Sequence, residues 1–207
     1  MNSKPYFDDV ANQWDKMRTS FFPEAVRNKA LETAGVQRGQ VAADIGAGTG
    51  FITEALVQAG ALVIAVDQSD AMLAAMKKKY SGFQDIDYRI GEAEDLPIPS
   101  ESVDYAFANM YLHHVEIPLE AIKEMARILK PGGKLILTDL DEHEYDFLRT
   151  EQYDRWMGFK REDIKQWLSE AGLKEVVVDC ADEDCCAQSS CGCEEASISI
   201  FIASGQK

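Results

Sequence analysis

The sequence has no long apolar run, and it has fewer basic than acidic residues. No stretch approaches the 18 or so uninterrupted apolar residues that predict a membrane-spanning helix. The opening segment, MNSKPYFDDVANQWDKMR, lacks the apolar centre of a signal peptide. Lysine and arginine number 21 against 36 acidic residues, which gives a net charge of −15, so the surface repels nucleic-acid phosphates and anionic lipids. We therefore expect a cytoplasmic protein with no membrane or nucleic-acid partner.

Cysteine is absent from most of the chain, since all five cysteines lie between Cys180 and Cys193. A reducing cytosol disfavours a disulfide. The spacing lacks the paired C-x-x-C knuckles of a structural zinc site. Two interpretations remain open. Either Cys185, Cys186, Cys191 and Cys193 form a site for a soft metal or metalloid ion, or they lie in an exposed hairpin loop that binds nothing.

Short apolar runs alternate with amphipathic segments along the chain. The runs at 40–48, 62–69, 86–91, 103–110 and 134–140 predict buried strands, and the helical patterns between them predict βαβ units. Two further strand patterns near the C-terminus have no helix between them, which predicts an antiparallel hairpin. We therefore predict a single α/β domain over 1–207. Its sheet would be doubly wound, Rossmann-like, mostly parallel and seven-stranded.

This predicted domain divides into three parts along the chain. Residues 1–34 would form a helical lid of one or two helices over the carboxyl edge of the sheet. Residues 35–140 would form the core that contains the parallel strands. Residues 141–207 would supply a further helix and the C-terminal hairpin, whose connection carries the cysteines.

A glycine-rich turn, ADIGAGTG, lies between a predicted strand and a predicted helix. There a ligand can approach the backbone and the free N–H groups of the helix start. Gly46, Gly48 and Gly50 fit G-x-G-x-G, and Phe51 stands where the dinucleotide pattern has its last small residue. Asp67 ends the next strand, where a carboxylate can accept hydrogen bonds from both hydroxyls of a ribose. The pattern favours adenosine with a short amino-acid tail over NAD, so a dehydrogenase is the less favoured enzyme class.

Four segments resemble the successive motifs of a known family. They are VAADIGAGTGFIT, VIAVDQSDAML, GEAEDLPIPSESVDYAFANMYLHHV and RILKPGGKLILTD. They resemble class I S-adenosylmethionine-dependent methyltransferases, in particular the small-molecule branch that includes ubiquinone/menaquinone-biosynthesis and arsenite methyltransferases. The resemblance is strong over residues 35 to 140, which it implies are the cofactor-binding core, and it implies that the helix within residues 141–207 lies on the acceptor side. It implies S-adenosyl-L-methionine as the cofactor and a small-molecule methyl acceptor.

The resemblance also implies which residues contact the cofactor. The glycine turn would pass close to its methionine part, and Asp67 would hold the ribose hydroxyls. Glu92 stands where the family usually has aspartate and would accept a hydrogen bond from the adenine amino group. The full set of implied cofactor-binding residues is Asp44, Gly46, Ala47, Gly48, Asp67, Gln68, Met72, Glu92, Ala93, Asn109 and Met110.

Methyl transfer needs alignment and water exclusion, and it needs a base only when the nucleophile carries a proton. His113 and His114 follow the fourth predicted strand, at the edge where such sheets bind ligands. Their alternative role is structural. His143 follows the fifth strand near Asp141 and could act as a general base, although a solvated acidic loop explains both residues equally well. The candidate catalytic residues are therefore His143, Asp141 and His114.

The N-terminal segment resembles the lid of the same methyltransferase branch. Tyr6, Phe7 and Trp14 could close over the cofactor, and Arg18 could meet the cofactor's carboxylate or an acidic substrate. Alternatively, the aromatic residues form the apolar face of a packed helix. The leading hypothesis is a methyltransferase for a small acceptor, with a metalloid or thiol compound as one candidate. The rival hypothesis is a cofactor-binding metal or metalloid sensor that does not turn over.

Overall fold

The computed structural model describes residues 3–207, and within them seven strands form one sheet. The strands are β1 (Val41–Ile45), β2 (Leu62–Asp67), β3 (Ile86–Ile90), β4 (Val103–Asn109), β5 (Leu129–Leu140), β6 (Lys174–Gln188) and β7 (Glu195–Gln206). Their order is β3-β2-β1-β4-β5-β7-β6, with β1 to β5 parallel and β7 antiparallel to both of its neighbours. The predicted doubly wound, mostly parallel sheet with a C-terminal antiparallel hairpin is confirmed.

Helices connect the parallel strands and precede the sheet. They are α1 (Lys4–Val10), α2 (Trp14–Phe21), α3 (Glu24–Ala34), α4 (Phe51–Gln58), α5 (Asp70–Lys79), α6 (Pro118–Ile128), α7 (Asp146–Glu151) and α8 (Arg161–Glu170), with a 3-10 turn at Leu112–His114. Ser69 caps α5, since its hydroxyl oxygen accepts the backbone N–H of Met72 at 3.1 Å. In the described part of the chain, no helix has the length and apolar character needed to cross a bilayer.

The sheet is covered by helices on both faces, so its central strands are buried on both sides. Along β4, Ala106 packs in the cluster that contains α6 and α8, whereas Phe107 packs in the cluster that contains α3 and α4. This alternation is the period of two that a strand imposes on its side chains. The parallel strands all end at the same edge of the sheet, and the loops at that edge build the candidate site.

The N-terminal part forms three helices, one more than the sequence predicted. Helix α3 packs on a face of the sheet, while α1 and α2 lie over the carboxyl edge. Polar contacts hold the first two helices there. Asp8 accepts a hydrogen bond from the Ser69 hydroxyl at 2.5 Å, and Asp15 binds the Thr49 hydroxyl at 2.7 Å and the Lys79 ammonium at 2.8 Å.

The cysteine-bearing segment differs from its prediction. Strand β6 continues to residue 188, so Cys185 and Cys186 lie within the strand instead of in a connecting loop. Because side chains alternate along a strand, Cys185 is buried and Cys186 is exposed. Cys191 and Cys193 lie in the turn and are joined by a disulfide, the state that the sequence disfavoured. The structure therefore contradicts a single site built from all four sulfur atoms.

Candidate functional site

A cavity opens at the carboxyl ends of β1, β2 and β4, beneath α1 and α2. We call it the glycine-loop cavity, because the turn at residues 46–49 forms one of its walls. The space between its walls, including the part open to solvent, is about 600 Å³. Nine of the eleven residues that the sequence assigned to the cofactor line it, namely Asp44, Gly46, Ala47, Gly48, Asp67, Gln68, Met72, Asn109 and Met110.

Asp67 holds the glycine turn against the end of β2. Its Oδ2 accepts the backbone N–H of Gly48 at 2.8 Å, and its Oδ1 accepts the backbone N–H of Ser69 at 2.8 Å. Burial raises the pKa of Asp67, while these two backbone hydrogen bonds act in the opposite direction. A carboxylate oxygen can accept more than one hydrogen bond. Asp67 can therefore hold the turn and still accept from a ligand hydroxyl.

Asp44 lies at the floor of the same cavity, at the end of β1. Its Oδ2 accepts the backbone N–H of Thr53 at 2.9 Å and the Thr53 hydroxyl at 2.6 Å. Burial raises the pKa of Asp44 to about 7, although the two bonds from Thr53 oppose the shift. Asp44 thus fixes the first turn of α4, and its carboxyl group titrates near neutral pH.

Tyr111 is a cavity residue that the sequence analysis missed. Its ring packs directly on the glycine turn, since a Cβ atom at Gly46 would lie 2.2 Å from Tyr111 Cδ2. Gly46 also adopts φ +67°, which a side chain would make costly. The signal for Tyr111 was its position two residues beyond Asn109, in the loop that follows a strand of the parallel sheet. The first glycine of the turn is therefore needed for Tyr111 to approach closely.

Two predicted cofactor residues do not line the glycine-loop cavity. Glu92 is exposed and lines a neighbouring cavity together with Gln68 and Tyr111. Ala93 is buried in the core cluster beneath α6. Tyr111 lines both cavities, so its ring lies on the side of the glycine turn that faces Glu92.

The lid residues divide into two groups. The rings of Phe7 and Trp14 meet edge to face at 5.4 Å between centroids and line the glycine-loop cavity. Tyr6 instead stacks on Tyr153 at 5.0 Å. Arg18 is buried with its guanidinium 4.2 Å from the centre of the Phe51 ring, and it is not among the cavity-lining residues. The structure thus brings two of the three predicted aromatic residues to the site.

A second cavity adjoins the first, and the space between its walls, including the part open to solvent, is about 460 Å³. We call it the aromatic cavity, because its apolar wall consists of Phe7, Trp14, Phe21, Phe22, Leu140 and Leu148. Its polar wall consists of His113, His114, Gln152 and Asp154. Cys185 also lines it. The two cavities share four residues, which are Phe7, Trp14, Met110 and His114.

His113 is buried between two carboxylates in the polar wall. Its Nδ1 lies 2.6 Å from Asp139 Oδ1, and its Nε2 lies 3.8 Å from Asp154 Oδ1. Burial alone would lower the pKa of His113, but the two carboxylates outweigh it and raise the pKa to about 9. Burial and the neighbouring His113 lower the pKa of His114 well below its usual value. The sequence identified both histidines but not their carboxylate partners.

His143 and Asp141 do not form the predicted catalytic pair. Asp141 accepts two hydrogen bonds from Arg161, at 2.8 and 2.6 Å, and a third from the Ser199 hydroxyl at 2.6 Å. His143 accepts the backbone N–H of Tyr145 through Nδ1 at 3.3 Å and lines a separate surface cavity. The bidentate arginine satisfies the carboxylate, which then links α8 to β7. Of the three candidate catalytic residues, His114 alone lines the two cavities described above.

The comparisons with known proteins identify the family. A family model described as a methyltransferase domain matches residues 43–137. A ubiquinone biosynthesis O-methyltransferase of Coxiella burnetii is 27% identical over 186 residues, covering 81% of this chain and 80% of the relative. A demethylmenaquinone methyltransferase of Renibacterium salmoninarum is 33% identical over 147 residues, covering 70% and 61%. The chain is a class I S-adenosylmethionine-dependent methyltransferase.

Solved structures share the fold of this methyltransferase. A chain from the complex between the Haloferax volcanii Trm112 methyltransferase activator and a putative methyltransferase matches with a TM-score of 0.80 at 22% identity, covering 97% of this chain and 96% of that chain. Haemonchus contortus phosphoethanolamine N-methyltransferase 2, solved with S-adenosyl-L-methionine, matches with a TM-score of 0.72 at 18% identity, covering 87% and 52%. These two structures confirm the fold, and the family model and the relatives described above, taken with them, confirm the predicted family, enzyme class and cofactor, S-adenosyl-L-methionine.

Proposed function

We propose that this methyltransferase binds S-adenosylmethionine in the glycine-loop cavity and methylates a small, largely apolar acceptor in the aromatic cavity. The observation that carries the proposal is the junction of the two cavities. Phe7, Trp14, Met110 and His114 line both, so a donor in one can face an acceptor in the other. Such an arrangement supplies the alignment that an in-line displacement requires.

The residues of the glycine-loop cavity fit the cofactor. A Cβ atom at Gly48 would meet nothing closer than Trp14 Nε1 at 3.7 Å, so the space over the second glycine is open to a ligand. Asp67 would accept a ribose hydroxyl, with Gln68 and Met72 on the adenine side. When bound, the cofactor supplies a methyl group activated on a sulfonium.

The backbone at the junction supports a functional role. Met110 adopts φ +50°, a region that residues other than glycine rarely occupy. Its N–H donates to the Thr138 carbonyl at 2.8 Å, which holds the chain in this conformation as it leaves β4. Strained positions of this kind cluster at functional sites. We therefore assign Asn109 and Met110 to the reacting end of the cofactor.

The walls of the aromatic cavity indicate the class of acceptor. Phe7, Trp14 and Phe22 offer ring faces and edges to a planar molecule, and these walls exclude water from the transfer. The polar wall offers hydrogen-bonding groups on one side only. A ring that bears a hydroxyl group matches this division. The names of the two relatives both concern quinones, which supports a ring compound as the acceptor, and the name of the first, an O-methyltransferase, supports an oxygen atom on that ring as the methyl acceptor.

Three finer expectations from the sequence remain predictions. A thiol or metalloid acceptor is supported by Cys185, which lines the aromatic cavity, but the structure brings no other cysteine among the described residues to that cavity. Cys185 is likewise the one cysteine among the described residues that could bind a soft ion within that cavity. The cytosolic location rests on composition, and cell fractionation would test it.

Turnover with methyl-labelled S-adenosylmethionine tests the proposal. The acceptor panel should contain hydroquinones and catechols, alkyl thiols and arsenite, and we expect label in the aromatic hydroxyl compounds. Leu148→Trp should fill the aromatic cavity and abolish transfer while leaving the affinity for S-adenosylhomocysteine unchanged. Leu62→Trp is the control, because Leu62 is exposed on β2.

Three results would contradict the proposal. Transfer to thiols or arsenite alone would assign another acceptor class. Binding of the cofactor without turnover on the whole panel would favour the sensor hypothesis. Unchanged transfer in Leu148→Trp would place the acceptor outside the aromatic cavity.

A further inference from the structure

Three side chains in the polar wall of the aromatic cavity converge in the manner of metal ligands. One ligand atom each from His113, His114 and Asp154 lie within 4.8 Å of one another. Asp154 Oδ1 is 3.8 Å from His113 Nε2 and 4.0 Å from His114 Nδ1. We call these residues the His–His–Asp cluster. None of the methyl-transfer steps described above requires three such groups to meet.

Among residues 3–207 no side-chain hydrogen bond reaches the Asp154 carboxylate, although Asp154 is only 3% exposed, and its ion-pair distance to His113 Nε2 is 3.8 Å. A buried carboxylate that accepts no hydrogen bond is costly. Its position is nevertheless fixed. The backbone N–H groups of Arg155 and Trp156 both donate to the His113 carbonyl at 3.0 Å, so the loop that carries Asp154 is tied to the histidine turn. The carboxylate thus faces the two imidazoles, at 3.8 and 4.0 Å, without a hydrogen bond to either.

His113 is oriented as a metal-binding histidine usually is. Asp139 lies 2.6 Å from its Nδ1 and also accepts the backbone N–H groups of Leu112 and Leu140, both at 2.8 Å. Asp139 therefore holds the Nδ1 proton and directs Nε2 into the cluster. A carboxylate that accepts the remote N–H of a histidine is the common second layer of a metal site, where it fixes the tautomer and raises ligand basicity.

We propose that the His–His–Asp cluster binds one divalent transition-metal ion of the zinc type in the wall of the aromatic cavity. Two imidazole nitrogens and one carboxylate oxygen are donors that such ions accept, and three protein ligands leave a position open to the cavity. Bond lengths of about 2.0–2.1 Å place tetrahedral ligand atoms about 3.4 Å apart. The side chains therefore need to close by modest rotations. His114 Nδ1, now 3.4 Å from the Tyr153 carbonyl, would bind with its proton on Nε2.

The open position of the ion faces the acceptor. An acceptor hydroxyl bound there would lose its proton more readily, because a divalent cation stabilises the oxyanion. This role rests on the proposed function, whereas the binding of the ion does not. The experiment therefore measures binding alone, without cofactor or acceptor.

Competition for Zn²⁺ against a chromophoric chelator tests the site, with Co²⁺ absorption as a second readout. We expect one ion per chain, and at least tenfold weaker binding in Asp154→Asn and in His114→Gln. Asp139→Asn should weaken binding about 10- to 100-fold. His143→Gln and the double change Cys185→Ser, Cys186→Ser are matched controls and should bind as the unaltered chain does.

Melting temperatures show which variants remain folded. If Asp154→Asn fails to fold, His114→Gln decides the question. The proposal is overturned if the unaltered chain binds no ion, if folded Asp154→Asn or His114→Gln binds as tightly, or if the cysteine variant loses the ion. None of these results would contradict the proposed methyl transfer, because the assay with labelled S-adenosylmethionine tests that proposal separately.

Discussion

Asp67→Asn tests the claim that one carboxylate holds both the glycine turn and the cofactor. The two oxygens of Asp67 accept 2.8 Å hydrogen bonds from the N–H groups of Gly48 and Ser69. Asparagine keeps one acceptor and turns a donor toward the other N–H group. A ribose hydroxyl also loses its carboxylate acceptor, and a buried hydroxyl left without an acceptor in the complex costs about 1–3 kcal/mol, which corresponds to about a 5- to 160-fold loss of affinity for S-adenosylhomocysteine.

The effect on folding should be smaller than the effect on binding. Burial raises the pKa of Asp67, so removing its charge relieves a desolvation cost that offsets part of the lost hydrogen bonding. Calorimetry with S-adenosylhomocysteine measures the affinity, and urea unfolding without ligand measures the stability. Asp70→Asn is the control, because Asp70 is exposed at the start of α5. Affinity within twofold of the unaltered chain, in a folded Asp67→Asn variant, would refute the reasoning.

Three further predictions follow from contacts in and near the site. Gly46→Ala should lower the free energy of unfolding by about 1–3 kcal/mol, because the new methyl group would strain a backbone with φ +67° and would collide with the Tyr111 ring. Urea unfolding should show a larger loss for Gly46→Ala than for Gly48→Ala. Equal losses would contradict this account. Burial raises the pKa of Asp44 to about 7, so the folded state holds this proton more tightly than the unfolded state does. The resulting contribution to the free energy of unfolding, on the order of 4 kcal/mol, is present below pH 4 and is lost as the pH rises through 7. Asp44→Asn should remove that slope, and an unchanged slope would contradict it. Asp141→Asn should lower the melting temperature without lowering kcat, whereas a large fall in kcat alone would restore the predicted catalytic role of Asp141 beside His143.

The parts of the site that could be predicted depend on local sequence. A glycine turn between a strand and a helix, and a carboxylate at the next strand end, are fixed by the parallel sheet itself. Asp67 and Gly48 were therefore predicted together, and the structure joins them by a hydrogen bond. The period of two in the β6 segment was visible as well. Extending that strand through Cys185 and Cys186 would have separated their side chains.

The parts that were missed depend on long-range contacts. Asp141 pairs with Arg161, 20 residues away, and that competing partner cannot be read from the spacing between Asp141 and His143. Asp154 meets His113 only because a loop 41 residues later folds back onto the histidine turn. Local periodicity carries no information about such pairings, since the fold brings them together.

The central claim is that donor and acceptor meet where the two cavities join. A crystal structure with S-adenosylhomocysteine and a hydroquinone tests it most directly. The account predicts that the ribose hydroxyls contact Asp67 and that the sulfur faces the aromatic cavity beside Met110 and His114, with the hydroquinone ring between Phe7 and Leu148. A sulfur directed toward the cavity that contains Glu92, or a hydroquinone bound away from the aromatic cavity, would contradict it.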